Sequence, residues 1–518
     1  MNRRKFFGLS MSASAVALLG GNKVFAVNHM QNGHGMAGHD MHGMNVGMGG
    51  MMAGTDLLPV DALPGGAPLA PLALLKNQSG KDGLFKAQLT AKETPIELVK
   101  GKPTTFMTYN DQIPGPQIVV TEGDTVEIEF KNSLKEPTTI HWHGLPVPPE
   151  QDGNPHDPVL PGQTHTYRFT LPEGSAGTYW YHTHAHELAA AQAYSGLAGS
   201  FIVKAKNDPL AHLPEQHWLI SDLRLDNEGQ IPGNDMFDWM NGREGQYALL
   251  NGQRQPAITI QGTQRVRIWN ACNARYLNLS IPNCEFIVVG TDGGLLEKPA
   301  SAVSELLIVP GERYEVVIRA IQSGTFPLNS LPFNRQKMMV DFKPETLVLA
   351  NVSINAVEPD LPGKLRAIAD FGPATAQKKV TFGEKPMDHA VGMTPGHEMS
   401  DMPPSTMSDL FFINDKTFDM NRIDLRSKVG EVEEWILYNN SHMDHPFHIH
   451  GTQFLVTEHV INGKASQPAY RALKDTVNLR PYETVHVKTV QTDKGIRMFH
   501  CHILEHESLG MMGQVEVV

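Results

Sequence analysis

A chain of 518 residues is too long for one ordinary domain and predicts two to four. Its formal charge of −12 excludes nucleic acid as a partner, because phosphate recognition needs a basic surface. Hydrophobic residues make up 41%, enough for well-formed cores, yet no apolar run approaches the roughly 20 residues of a membrane span, so no membrane anchor is expected.

Residues 1–26 read as an export signal. Arg3 and Arg4 precede Lys5, Phe6 and Phe7, a short apolar stretch runs to Leu19, and Val24-Phe25-Ala26 supplies the cleavage site. A twin arginine before two aromatics points to the route that exports folded proteins, which predicts a periplasmic location. Residues 29–54 are rich in Gly, Met and His and cannot supply a packed core, so residues 27–79 are expected to be a disordered segment followed by a Pro/Leu/Ala-rich linker.

Three loosely similar repeats follow. Gly123 opens the alternating run 126–130, which ends at Asn132; Gly262 opens a run through Val266, Ile268 and Trp269 to Asn270; Gly430 opens one through Trp435 and Leu437 to Asn439. Each has a later partner strand after a proline turn: Pro161-Gly162 before 165–169, Pro310-Gly311 before 314–318, and Pro481 before 485–490. Period-two alternation of β-branched and aromatic residues between Gly, Pro and Asn predicts strands. Repeats this long are repeated domains, so an all-β protein of three sandwich or barrel domains is expected, over 80–205, 206–370 and 371–518. Three cysteines make no disulfide framework. Cys272 and Cys284 are available to pair in an oxidising compartment, although folding before export exposes both to reducing conditions first.

Five His-x-His pairs occur: His141/His143, His182/His184, His184/His186, His448/His450 and His500/His502. About one would arise by chance from this number of histidines. On an extended strand, residues two apart point to the same face, so each pair offers two imidazoles to one site. All pairs lie in the first and last repeats. A site between those domains would collect eight imidazoles, too many for one ion and suited to a cluster of about three. The residue between the last pair, Cys501, points the opposite way. With His445, His506 and Met511 it offers two nitrogens, a thiolate and a weak thioether, the donor set of a blue-copper electron-transfer site. His186 reads as a surplus, exposed or supporting histidine.

His141-Trp142-His143-Gly144, Tyr181-His182-Thr183-His184, His445-Pro446-Phe447-His448-Ile449-His450-Gly451 and His500-Cys501-His502-Ile503-Leu504-Glu505-His506 resemble, in order, the four signature segments of multicopper oxidases. The resemblance covers the chain after residue 80. It implies three cupredoxin-like Greek-key domains, a middle domain without ligands, and a likeness to the periplasmic copper-efflux oxidases. It implies four copper ions. Cys501, His445, His506 and Met511 would hold the type 1 ion, and His141 and His448 the type 2 ion. His143, His182, His184, His450, His500 and His502 would hold the type 3 pair. Glu507 and Asp152 match acids that similar oxidases place near the cluster and are expected to relay protons, with Cys501 as the electron relay.

Half the methionines, 12 of 24, fall in residues 29–54 and 387–407. Thioether sulfur favours Cu(I), so both stretches are candidates for additional labile copper. The second precedes Phe411-Phe412-Ile413-Asn414, where copper-efflux oxidases carry a Met-rich insertion over the type 1 site. Met387, Met393, Met399 and Met402, with Met443 and Asp444 beside His445, are therefore the expected substrate-binding residues. The family's aspartate four residues before that histidine is here Ser441. The expected function is oxidation of Cu(I) with reduction of O2, by a monomer. A laccase-like oxidase of phenols or other metal ions, and a non-catalytic copper-sequestering protein, are the alternatives.

Overall fold

A computed structural model describes residues 56–385, 407 and 410–518 of the chain. The export signal, the N-terminal Met/His stretch through residue 55, and Met387, Met393, Met399 and Met402 lie outside the described residues.

The predicted runs are strands. Thr125–Asn132, Arg265–Asn270 and Val432–Asn440 occupy the same place in three sheets. Each runs parallel to an earlier strand: Leu84–Val99, Glu215–Leu223 and Ala376–Glu384 respectively. Each pairs antiparallel with its strand after the proline turn: Thr164–Thr170, Arg313–Ala320 and Thr484–Val490. A second sheet completes each sandwich, of three strands in the first domain and five in each of the others. These are three cupredoxin-like domains. Within Thr125–Asn132, Val126, Ile128 and Phe130 face the core while the intervening residues do not. Burying such side chains stabilises by about 1.5–3 kcal/mol each.

The asparagine that closes each run holds the loop that follows. Asn132 donates to the carbonyls of Glu136 and Val159, Asn270 to those of Arg275 and Ile308, and Asn439 to those of Met443 and Leu479. Each Oδ1 also accepts the backbone N–H two residues on, as in an Asx turn. In the first and last domains the loop fixed this way leads into His141 and His445. The turn before Thr484–Val490 lacks the glycine of the other two, and Tyr482 takes the left-handed φ of 59° there.

The connector is not a free tether. Residues 56–80 make bridges at Leu57, Gly65, Pro68 and Leu74 to the first and middle domains, and Leu58, Leu63 and Leu72 are buried. Cys272 and Cys284 are both free and buried, so the pairing the sequence left open is not made. Three short helices matter to the site: Leu504–Ser508 packs against both Ala189–Tyr194 and Met236–Asn241. No helix among the described residues is long and apolar enough to cross a membrane.

Candidate metal centre

Two cross-strand pairs set the cluster. His141 and His182 face each other through a two-way backbone bridge in the first domain, and His448 lies opposite His500 in the last. The second member of each pair sits just past the strand end or the bridge. Rings from the two domains interleave: His141 stacks on His450 and His143 on His448, both with centroids 3.7 Å apart. All eight are fully buried.

Donor atoms fall into groups within 4.8 Å: His141, His143 and His448; His143, His182 and His502; His184, His450 and His500; and, separately, His445, Cys501 and His506. Three of the His-x-His pairs, His182/His184, His448/His450 and His500/His502, are each split between groups, while His141 and His143 share one. Period two puts both rings on one face, but they stand far enough along it to reach different ions. His186 joins no group and stands partly exposed beside Glu187 and Phe418.

The ring tautomers test whether a metal fits. His141 Nδ1 faces the Asp152 carbonyl and carboxylate (3.2 and 3.1 Å), and His448 Nδ1 faces the Asp475 carbonyl (2.9 Å). Both therefore donate there, which leaves two lone pairs, on the Nε2 atoms, 3.4 Å apart. His500 Nδ1 donates to the Cys501 carbonyl, and its Nε2 lies 3.1 Å from His184 Nε2 and 3.2 Å from His450 Nε2. Burial pushes the pKa of His448, His500, His184 and His450 down, which keeps these rings neutral, each with one nitrogen lone pair. His143 Nδ1, His182 Nε2 and both His502 nitrogens have no hydrogen-bond partner. Converging, neutral, unpartnered imidazole nitrogens in a sealed interior are what bound cations would satisfy.

Near Cys501 the same logic holds. Its sulfur is 3.5 Å from His445 Nδ1 and 3.9 Å from His506 Nδ1, and it accepts the Ile503 N–H at 3.4 Å. His506 Nε2 donates to the carbonyl of Met240, in the middle domain (3.1 Å). Met511 is buried, and its backbone pairs with Cys501 and His506. A nitrogen–nitrogen–thiolate set with a thioether neighbour suits copper.

The two acids are buried, not solvated. Asp152 contacts His141 and lies 3.2 Å from His450 Nδ1. Glu507 lies 3.9 Å from His184 Nδ1; neither of its oxygens has a partner, and burial, then the charge of Glu505, pushes its pKa up to about 8. Ser441 turns inward to Asn439 and the Met443 carbonyl. Met443 is buried, and Asp444 is buried with its carboxylate on Asn478 (2.7 Å).

The middle domain holds no member of these groups, yet it supports them. Asp475 accepts from His143 Nε2 (3.1 Å) and from Thr476. Arg313, just after the Pro310-Gly311 turn, grips both oxygens of Asp475, at 2.7 Å for Nη1–Oδ1. Its Nε donates to the carbonyl of Thr178, in the first domain (2.8 Å). One guanidinium thus ties all three domains at the back of the cluster. Crowding there is tight: a Cβ on Gly144 would fall 2.1 Å from Asp475 Oδ2, and one on Gly311 would fall 2.8 Å from the His502 ring. No local spacing marks Asp475 or Arg313, which are 162 residues apart.

Comparison with known proteins agrees with this geometry. Residues 90–208, 177–346 and 388–518 each match a multicopper oxidase family. A multicopper oxidase of Staphylococcus aureus is 31% identical over 455 residues, covering 86% of this chain and 91% of that one. A cell division protein, FtsP, of Photorhabdus laumondii is 30% identical over 427 residues, covering 80% and 85%. Among solved structures, a multicopper oxidase from Campylobacter jejuni described as a metallo-oxidase is 50% identical with a TM-score of 0.87, covering 90% of this chain and 98% of that chain.

Proposed function

The chain belongs to the multicopper oxidase family, a copper-dependent oxidase class that couples a reducing substrate to O2, and from that premise we propose that it is a periplasmic cuprous oxidase acting in copper tolerance. Its substrate would be Cu(I), four of which deliver the electrons that reduce one O2 to two waters. The observation that carries this reading is the setting of Cys501. Met236, Met240, Met338, Met407, Met443 and Met511 belong to the same buried core cluster as that cysteine, a thioether-rich core suited to a soft cation.

Four resident coppers are proposed. His445, Cys501, His506 and Met511 would hold one, His141 and His448 a second, and the trios His143/His182/His502 and His184/His450/His500 the remaining two. Bound there, copper supplies one-electron redox chemistry at the sulfur site and multi-electron reduction of O2 at the cluster. The chain's part is positional. The Met240 carbonyl fixes the His506 tautomer so that Nδ1 presents its lone pair, and Asp152 and the Asp475 carbonyl fix His141 and His448 so that Nε2 presents theirs. Cys501 is joined by single peptide bonds to His500 and His502, which makes a short covalent route between the two sets of ligands.

Glu507 would hold the proton that O2 reduction consumes, at an oxygen with no competing partner near His184, while Asp152 hands protons on from the His141 side. Glu507→Gln keeps the shape and removes the transferable proton. Its oxygen uptake is expected to fall about a hundredfold with copper per chain unchanged, the scale of losing one acid–base group. Uptake at the wild-type rate in a fully loaded variant would remove Glu507 from the relay.

The decisive measurement is oxygen uptake with Cu(I) as sole reductant, beside a variant lacking residues 387–407. Uptake that collapses in the variant supports a cuprous oxidase fed through the Met-rich segment, and none above background rejects Cu(I) as substrate. The relative named a cell division protein cautions that this fold serves other roles. Completeness of the donor groups favours the oxidase over sequestration.

A further inference from the structure

The middle domain holds no member of the donor groups, and one of its loops has taken up a different task. Asn270 fixes the loop after Arg265–Asn270 as Asn132 and Asn439 fix theirs. Its Oδ1 accepts the Cys272 N–H (3.1 Å), and its Nδ2 donates to the Arg275 and Ile308 carbonyls. In the other two domains the corresponding loop leads into His141 and His445. Here it carries Asn273 into the interior, 2% exposed.

Asn273 reaches both neighbouring domains. Its Nδ2 donates to the Ala190 carbonyl and to Glu505 Oε1, both at 2.9 Å. Its own carbonyl accepts the Leu504 N–H at 3.2 Å. Neither Ala189–Tyr194 nor Leu504–Ser508 has a side-chain cap at its start, so the N–H groups of the first turn need partners from elsewhere. Leu504 takes the Asn273 carbonyl, and Ala190 takes the Ser508 hydroxyl at 3.3 Å. The two helices are thus held to each other and to Asn273.

What these helices carry gives the joint its meaning. Ala189–Tyr194 starts five residues after His184, and Leu504–Ser508 contains His506 and Glu507. Glu507 Oε1 stands 3.9 Å from His184 Nδ1. Packing at the joint is close. A Cβ on Gly242, which has a φ of 75°, would fall 2.3 Å from the Ala274 Cβ and 2.5 Å from Ile503 Cγ2. The Asn273 loop, the end of Met236–Asn241 and the lead-in to Leu504–Ser508 are therefore pressed together, beside the Met240 carbonyl that orients His506.

We propose that Asn273 is a positioning residue for the oxidase reaction. It forms no hydrogen bond to a candidate ligand, but its amide fixes the helix behind His184 against the helix that carries His506. It thereby sets how His506 meets Cys501 and how closely Glu507 approaches His184. This rests on membership of the oxidase family and not on Cu(I) as substrate.

Asn273→Ala removes the amide and keeps the backbone carbonyl on Leu504. With copper per chain as in the wild type, its blue band should change in position or intensity. Its kcat for oxygen uptake with Cu(I) should fall about tenfold per blue site with KM unchanged, the scale of a sub-ångström misplacement. The copper-free variant should melt at a lower temperature, as loss of a buried hydrogen-bond donor requires. Asn273→Ser keeps a short donor in the polar pocket, covers failure of the alanine variant to fold, and should fall between it and the wild type. Thr104→Val is the control. It removes another buried hydrogen bond between the first and middle domains, Thr104 Oγ1 to the Gly229 carbonyl (2.7 Å), which involves neither helix. It should leave the blue band and kcat at wild-type values. A wild-type blue band and kcat in both Asn273 variants at full copper, a loss that merely follows copper content, or the same change in Thr104→Val would overturn the assignment. If Cu(I) supports no uptake even in the wild type, the cuprous reading fails and the blue band alone decides for Asn273.

Discussion

Cys501→Ser is expected to abolish both the intense blue absorption of the loaded protein and its oxygen uptake, by a factor of a thousand or more. A serine hydroxyl keeps nearly the same shape but is a hard, protonated donor where a soft thiolate is needed, and the strong visible band of such a site comes from its sulfur. The side chain is fully buried among apolar neighbours, with the Ile503 N–H directed at it. The hydroxyl can accept that bond, so the loss of stability should stay near the about 1 kcal/mol typical of point substitutions. His500 and His502 keep their places, so copper should drop by about one ion per chain and no more. Visible absorption, copper stoichiometry and oxygen uptake on one preparation decide the matter. Turnover that survived the loss of the blue band would break the proposed route from sulfur to cluster.

Arg313→Met should have the second-largest effect, and it acts from the domain that has no ligands. The substitution leaves Asp475 charged and buried without its cation, a change that typically costs about 3–5 kcal/mol. Asp475 would then be free to turn away from His143, and the Asp475 carbonyl that orients His448 would lose its anchor. Copper in the cluster should fall well below that of the wild type while the blue band remains, because the sulfur site lies on other supports. The double variant Arg313→Met with Asp475→Leu removes both charges. It should recover most of the thermal stability without recovering the cluster copper. Full cluster occupancy in the single variant would show that the tie is structural ornament, and unchanged stability would show that it is not a tie.

Much of this was legible in the sequence because it is local. Five His-x-His pairs, a cysteine inside the last, and runs of period two between Gly and Asn are read within a few residues, and the structure joins them as that reading requires. What was not legible depends on distance or on backbone. Arg313 and Asp475 meet only because the middle domain is seated against the last, and neither has a spacing that marks it. The Met240 carbonyl that sets the His506 tautomer is a main-chain atom, invisible to any reading of side chains. The division of His182/His184, His448/His450 and His500/His502 between groups depends on how far past each strand end the second ring lies, which period two does not encode. Asn132, Asn270 and Asn439 were readable as run terminators, but their hold on the following loops needed the carbonyls to be seen.

The eight imidazoles of the cluster come from two domains, and none has exposed surface. That sets a kinetic condition on how the protein is filled. Ions larger with their water shells than any gap at these rings are expected to enter while the first and last domains are apart, so the frequency of such opening, more than the strength of the ligands, should bound the rate of metal uptake. Holding and filling are thereby opposed: whatever clamps the domains more firmly slows the arrival of the ions they are built to keep. Occupancy then becomes a matter of timing, decided by whether ions are at hand while the domains are still coming together.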